Sequence, residues 1–318
     1  MKKLLIVIPC YNEEEVLPST LKTMSALLQK MIADKLVSAD SRVHFVDDGS
    51  HDKTWQILAK ECQKNQLFEA SKLSRNFGHQ GAILAGMYDN DADLYCTIDA
   101  DLQDDPNCII EMAKKINDGN DIIYGVRKKR DSDTFFKRFT AQAFYKLMSW
   151  LGVKVIYNHA DFRMMTKRAV EQLKQFPERN LFLRAVVPLV GFKSDMVYYD
   201  RTPRMAGETK YPLKKMLAFA WNGISSFSIV PLRLVTFTGF LISFLGACFV
   251  LKILLNYNAH GAVSGWASTV TLITLFSGVQ MISLGIIGEY IAKIFVEVKQ
   301  RPLYIIEEKV NTKNKAPK

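Results

Sequence analysis

No two of the five cysteines, Cys10, Cys62, Cys96, Cys108 and Cys248, form a C-x-x-C pair. Scattered thiols of this kind argue against a disulfide scaffold or a zinc motif, and reduced, buried cytosolic thiols are expected. His51, His79 and His159 also show no metal-ligand spacing and are read as satisfied loop residues. The apolar run Leu4–Pro9 is too short for a signal-peptide core and no small-residue cleavage site follows it, so it is read as a first strand. Charge is missing from two long stretches, Leu234–Leu251 (18 residues) and Gly265–Gly288 (24 residues). Each meets the length of a membrane-spanning helix. Their connector, Asn256–Ser264, carries no Lys or Arg.

What the chain has in excess is positive charge and apolar surface. The 318 residues carry a formal net charge of +10, and 48% are hydrophobic. Nucleic acid, anionic lipid or a phosphorylated substrate would explain the charge, but nucleic acid would not explain the spans. Lys214, Lys215, Arg233, Lys293, Lys299 and Arg301 flank the uncharged stretches, which places the remainder of the chain and both termini in the cytoplasm by the positive-inside rule. The resulting division is a domain over 1–212, a juxtamembrane amphipathic helix over 213–230, a two-helix hairpin over 231–296 and a cytosolic tail over 297–318. A second amphipathic stretch, 134–152, interleaves Phe135, Phe139 and Phe144 with Lys137, Arg138 and Lys146, a pattern suited to a membrane interface.

Within the first 130 residues, apolar runs alternate with helical patterns. Leu4–Pro9, Val43–Val46, a weaker segment around Leu73, Leu94–Ile98 and Asp121–Gly125 read as strands. Helical patterns lie near 14–32, 52–65, 80–90 and 107–118. The alternation predicts an α/β fold with a doubly wound, mostly parallel sheet, whose ligands gather at the carboxyl ends of the strands. Polar clusters fall at those ends: Tyr11-Asn12-Glu13, Asp47-Asp48-Gly49-Ser50, Asp99-Ala100-Asp101 and Arg127. Carboxylates packed this closely repel one another, and a cation relieves the repulsion. Oxygen ligands alone suit Mg²⁺ or Mn²⁺, ions that usually ride on substrate phosphates.

Ile8-Pro9-Cys10-Tyr11-Asn12-Glu13-Glu14, Val46-Asp47-Asp48-Gly49-Ser50 with Asp52, and Asp99-Ala100-Asp101-Leu102-Gln103-Asp104-Asp105-Pro106 occur in that order. They are joined by Leu73-Ser74-Arg75-Asn76-Phe77-Gly78, Asp161-Phe162-Arg163 and Arg204 through Gly207-Glu208-Thr209-Lys210-Tyr211. The set resembles glycosyltransferase family 2. With two C-terminal spans it resembles that family's polyprenyl-phosphate glycosyltransferases, which include dolichol-phosphate mannose synthases and bacterial undecaprenyl-phosphate glucosyltransferases.

The resemblance implies inverting transfer of one sugar from a nucleotide-sugar, UDP-glucose or UDP-N-acetylhexosamine, to polyprenyl phosphate at the cytoplasmic membrane face, for cell-envelope glycan modification. It implies a nucleotide-sugar site of Pro9, Tyr11, Glu13, Asp47, Asp48, Arg75, Asn76, Asp99 and Gln103. Metal contact falls to Asp101 and Asp99, and catalytic roles to Asp161, Asp101 and Asp104, with Asp161 at the family's base position. Acceptor phosphate falls to Arg127, Arg130, Arg163, Arg201, Arg204 and Lys210, since guanidinium forks suit phosphate. The residues leave Asp161 open between base, sugar contact and partner of Arg163. Two alternatives stay open beside this reading, a GDP-mannose-dependent mannosyltransferase and an inactive membrane scaffold. A polysaccharide synthase would need a Q-x-x-R-W segment, which is absent. Small residues at Gly239, Ser243, Gly246 and Ala247, and a C-terminal strand over Leu303–Ile306, suggest a homo-oligomer, with a tetramer as one form.

Overall fold

The computed structural model describes residues 1–128, 156, 159–179, 182–200, 230–260 and 265–311. The expected 134–152 and 213–230 helices, and Arg130, Arg201, Arg204 and Lys210, lie outside the described residues.

The chain divides into two compact units. The first takes in residues 1–149, 154–211 and 301–318. It is an eight-stranded mixed sheet with strand order β7-β5-β6-β4-β1-β2-β3-β8. The strands are β1 (Leu4–Cys10), β2 (Arg42–Asp47), β3 (Phe68–Leu73), β4 (Leu94–Thr97), β5 (Ile122–Arg127), β6 (His159–Thr166), β7 (Ser194–Tyr199) and β8 (Ile306–Val310). β1 pairs in parallel with β2 and β4, β2 with β3, and β5 with β7. β6 runs antiparallel between β4 and β5, and β8 antiparallel against β3. The mostly parallel sheet is as expected.

β1 is apolar throughout and buried along its whole length because it has a strand on each side and helices over it. Helix α1 (Leu17–Ala33) buries Leu17, Leu21, Met24, Leu28 and Met31, a stripe at helical spacing, and carries proline in its first turn. Helices α2 (Thr54–Lys64), α3 (His79–Tyr88) and α4 (Cys108–Asn117) follow β2, β3 and β4. Leaving β1, the chain builds outward through β2 and β3, then returns to β4 on β1's other side. The strand order therefore reverses between β1 and β4, the crevice where doubly wound sheets take ligands. Two short helices are also described in this unit, α5 (Lys167–Leu173) and α6 (Leu183–Leu189).

β6 and β8 depart from the expected elements. β6 inserts an antiparallel strand at the centre of the sheet, with Arg163 opposite both Thr97 and Tyr124. The C-terminal strand is Ile306–Val310, not Leu303–Ile306, and it pairs with the chain's own β3.

The second unit holds two long helices, α7 (Val230–His260, 31 residues) and α8 (Trp266–Lys299, 34 residues). Together they cover both uncharged stretches. Their surfaces are apolar and exposed, with Phe237, Phe240, Phe244, Ile273, Met281 and Ile282 all open. Among the described residues, one segment, Phe276–Lys299, is long and apolar enough to cross a membrane, and Val230–Gly246 is a shorter apolar stretch.

Candidate active site

Three loops at the carboxyl ends of β1, β2 and β3 form one wall of the crevice. The first two are cross-linked. Asn12 N donates to Ser50 Oγ (2.9 Å), Glu13 N to Thr54 Oγ1 (2.9 Å) and Glu14 N to Asp52 Oδ2 (3.2 Å). In return, His51 N donates to Asn12 Oδ1 (2.9 Å) and Lys53 N to Glu14 Oε2 (3.0 Å). Asn12 itself takes φ 55°. Exposed Tyr11 stands edge-on to the His51 ring, 6.4 Å between centroids.

The third loop is tied on by Asp48. Its carboxylate accepts hydrogen bonds from Phe77 N (2.7 Å) and Gly78 N (3.0 Å). Burial raises its pKa against the pull of those two amides. Asp48, expected at the nucleotide, thus holds the third loop through both of its oxygens. Asp47 differs: it is completely buried, Ser50 N reaches Oδ2 at 3.4 Å, and Oδ1 has no hydrogen-bond partner among the described residues. Arg75 lies 3.9 Å over the Phe77 ring and donates to the Asn76 carbonyl, so Arg75 and Asn76 are carried at the lip of the same wall.

Asp99 and Asp101 follow β4 at the strand-order reversal. The segment is pinned from below, since Thr20 Oγ1 donates to the Ala100 carbonyl at 2.7 Å. Gln103 N donates to Asp101 Oδ1 at 3.2 Å. Burial pushes Asp99 up to about 6, with Asp104, Asp161 and Asp101 adding repulsion and His79 opposing it. That crowding is the observation that fits a cation. Among the described residues, no three His, Cys, Asp or Glu side chains converge as a closed metal cage. Asp99 and Asp101 supply oxygen donors of the kind that would hold a hard ion beside substrate phosphate.

The opposite wall is built by β6 and α6, and sequence reasoning found only part of it. Asp161 is 5% exposed. Arg163 Nη2 donates to its Oδ1 at 2.5 Å, and Arg184 donates to Oδ2 from Nη2 (3.0 Å) and Nε (3.3 Å). Burial opposes the charge, but Arg184, Arg163 and then His79 hold the Asp161 pKa well below the ordinary carboxylate range. Arg163, expected at acceptor phosphate, is instead 1% exposed, between Asp161 and the Leu183 carbonyl. Arg127, expected in the same role, turns its fork onto buried Asp104 at 2.9 and 3.2 Å.

His79 and Arg184 are the residues sequence reasoning missed. His79 opens α3, and its Nε2 lies 3.4 Å from Asp99 Oδ1 and 3.8 Å from Asp161 Oδ2, joining the two walls. The available signal was a histidine at the first turn of the helix that follows β3. His159, read as a loop residue, opens β6, where burial and Arg163 push it down to about 3. A depression of about 450 Å³ lies elsewhere, over α4 and β7, and none of the expected site residues lines it.

A model of Glycosyl transferase family 2 matches residues 5–174. The glycosyltransferase YkoT of Bacillus subtilis (strain 168) is 51% identical over 311 residues, 96% of this chain and 91% of its own. A prophage bactoprenol glucosyl transferase homolog of Escherichia coli (strain K12) is 36% identical over 307 residues, 96% of this chain and 98% of its own. The bactoprenol glucosyl transferase of Shigella phage SfII is 37% identical over 311 residues, with the same two shares.

Proposed function

Because the chain belongs to glycosyl transferase family 2, we propose that it transfers one sugar from a nucleotide-sugar to a polyprenyl phosphate, bactoprenyl (undecaprenyl) phosphate in the first instance. The near-complete alignment with two proteins named bactoprenol glucosyl transferases carries the acceptor and favours glucose. UDP-glucose is the donor this reading puts first.

The nucleotide is received by the Pro9–Glu13, Asp47–Ser50 and Arg75–Asn76 wall. Asp47 supplies a buried acceptor for a base N–H or a ribose hydroxyl, and Asp48 shapes the loop that carries Arg75 and Asn76. Asp99 and Asp101 would hold Mg²⁺ or Mn²⁺, which when bound supplies neutralisation of the diphosphate leaving group. Gln103 and Asp104 line the sugar, and Arg127 fixes Asp104. The acceptor's second pKa is about 6, so it arrives largely as a dianion and needs no general base. Its phosphate oxygen forms the new bond to the anomeric carbon as the bond to the diphosphate breaks, with inversion. Asp161, held ionised by two arginines, acts as a scaffold for positive charge on the acceptor side. Both long helices lie in the membrane, the catalytic unit and both termini are cytoplasmic, and copies assemble into a homo-oligomer.

Incubation of the purified protein with undecaprenyl phosphate and a panel of nucleotide-sugars, followed by mass analysis of the lipid, tests this reading. A hexose increment from UDP-glucose is expected. No lipid-linked sugar from any donor refutes it. EDTA should abolish transfer and Mg²⁺ or Mn²⁺ restore it, and full activity in chelator would remove the metal role.

A further inference from the structure

We infer that Arg184 binds a phosphate oxyanion in this site, that of the lipid acceptor, and that Asp161 is the positioning residue that aims it. The inference rests on the acceptor class proposed above.

Arg184 is the second residue of α6, and the start of that helix is fixed from two directions. Leu183 N donates to Gln80 Oε1 at 2.8 Å, next to His79 on α3, and the Leu183 carbonyl accepts from Arg163 Nη1 at 3.2 Å. The guanidinium then meets Asp161 Oδ2 through Nη2 and Nε at 3.0 and 3.3 Å. Asp161 cannot swing away, because Arg163 holds its other oxygen. A planar cation is therefore set in one orientation, on the same carboxylate oxygen that His79 approaches from the Asp99 side.

The three described arginines near the carboxylates differ in access. The Arg163 side chain is 1% exposed, the Arg127 side chain 24% with its fork on Asp104, and the Arg184 side chain 33%. Arg184 alone among these three combines an orienting carboxylate with a third of its surface open. Five donors in a rigid plane let one guanidinium serve a buried carboxylate and an incoming phosphate together.

Sheet order assigns the phosphate to the acceptor. The nucleotide wall comes from the ends of β1, β2 and β3. Asp161 lies on β6, beyond β4, with Arg184 bonded to it, and Asp99 follows β4 between the two walls. A nucleophile approaching Asp99 from that side comes opposite the leaving diphosphate, as displacement with inversion requires. The acceptor dianion brings no proton to remove. Its oxygen supplies the electron pair of the new C–O bond, the diphosphate leaves with the pair of the old one, and Arg184 offsets charge on the attacking phosphate.

The test uses the full chain in detergent without nucleotide. Binding of undecaprenyl phosphate is measured beside undecaprenol as the uncharged control, and UDP binding is measured separately. Arg184→Ala should weaken binding of the phosphorylated lipid about 10- to 100-fold, the worth of a charge-assisted fork, with UDP binding within about twofold of wild type. Guanidinium ion added to Arg184→Ala should recover part of the lipid-phosphate binding and leave undecaprenol binding unchanged, whereas repair of a purely structural defect would raise both. Arg184→Lys should recover less than the native fork provides. Should Arg184→Ala not fold, Arg184→Gln carries the same comparison. Unchanged lipid-phosphate binding in a folded variant overturns the inference. Weakened UDP binding with unchanged lipid binding moves Arg184 to the donor diphosphate and overturns the acceptor assignment. A wild-type chain that binds the lipid phosphate but transfers no sugar refutes the proposed reaction and leaves Arg184 assigned.

Discussion

Gly49 takes φ +69°, and a Cβ there would lie 2.6 Å from the Arg75 carbonyl carbon and 2.7 Å from Asn76 N. The two loops can touch at this point only because Gly49 has no side chain, and the neighbouring Asp48 carboxylate completes the junction. Gly49→Ala should cost about 1–3 kcal/mol in strain and displacement. A higher KM for the nucleotide-sugar should accompany it, because Arg75 and Asn76 move together. Denaturant unfolding and donor kinetics check both. Asp161→Asn acts differently, by leaving Arg163 charged in the core with the Leu183 carbonyl but no counter-ion, a loss of about 3–5 kcal/mol. The pH dependence has a fixed sign. The folded-state pKa of Asp161 is depressed, so its contribution is full above the unfolded carboxylate value of about 3.9 and is lost as pH falls below it. The stability profile of Asp161→Asn should therefore be flatter than wild type on the acid side, and an equally steep acid limb would show that this ion pair does not hold the core.

β8 shows what an unremarkable charged stretch can do. Ile306, Glu308 and Val310 lie on the more buried face of the sheet and Glu307 and Lys309 on the exposed one, an alternation visible in the letters but masked by three charges in five residues. Its pairing with β3 is flanked by contacts to the nucleotide wall. The Ile305 carbonyl accepts from Ser74 N at 3.0 Å, and a Cβ on Gly81 would sit 3.2 Å from the Leu303 carbonyl. Lys72 pairs with Glu307 at 2.8 Å, and Trp55 Nε1 donates to Glu308 at 3.2 Å. Val310→Asp would bury an unpaired charge at a position 2% exposed. It should loosen β8, and hydrogen exchange at Ser74–Gly78 should speed up before the central strands change. Exchange unaltered there would mean the loop is held by Asp48 alone. β1, β2, β4 and β5 were legible because each is a short apolar run between helical patterns, β3 only weakly because Glu69, Ser71 and Lys72 interrupt it, and the polar clusters at their ends marked the crevice wall. β6 was not. His159–Thr166 mixes charge with apolar residues and does not read as a strand, although the pairing of Asp161 with Arg163 is among the readings the sequence leaves open. Their burial makes sense only once Arg184, some twenty residues on, and His79, from α3, reach the same carboxylate. No local pattern encodes such a convergence.

The net charge of +10, the two apolar helices and the phosphate chemistry fit one arrangement. An isoprenoid tail cannot leave the bilayer, so the phosphate must be met at the membrane surface, where basic flanks such as Arg233 and Arg301 are favoured on the cytoplasmic side. The 34 residues of α8 make a rod of about 51 Å, against a hydrocarbon core of about 30 Å. Glu289, Lys293, Glu297 and Lys299 follow the uncharged stretch and gather the charge of this helix at its C-terminal end. The proposed orientation has the connector near His260 on the outer face and the end of α8 on the cytoplasmic face. Thiol labelling in intact cells tests it, in a Cys248→Ser background because that cysteine is exposed while the other four are buried. Ser264→Cys should react with a membrane-impermeant maleimide directly. Exposed Lys22→Cys on α1 should react only after the membrane is opened. The reverse pattern would place the carboxylate site outside the cell, away from the cytoplasmic pool of nucleotide-sugar, and would refute both the orientation and the proposed donor together.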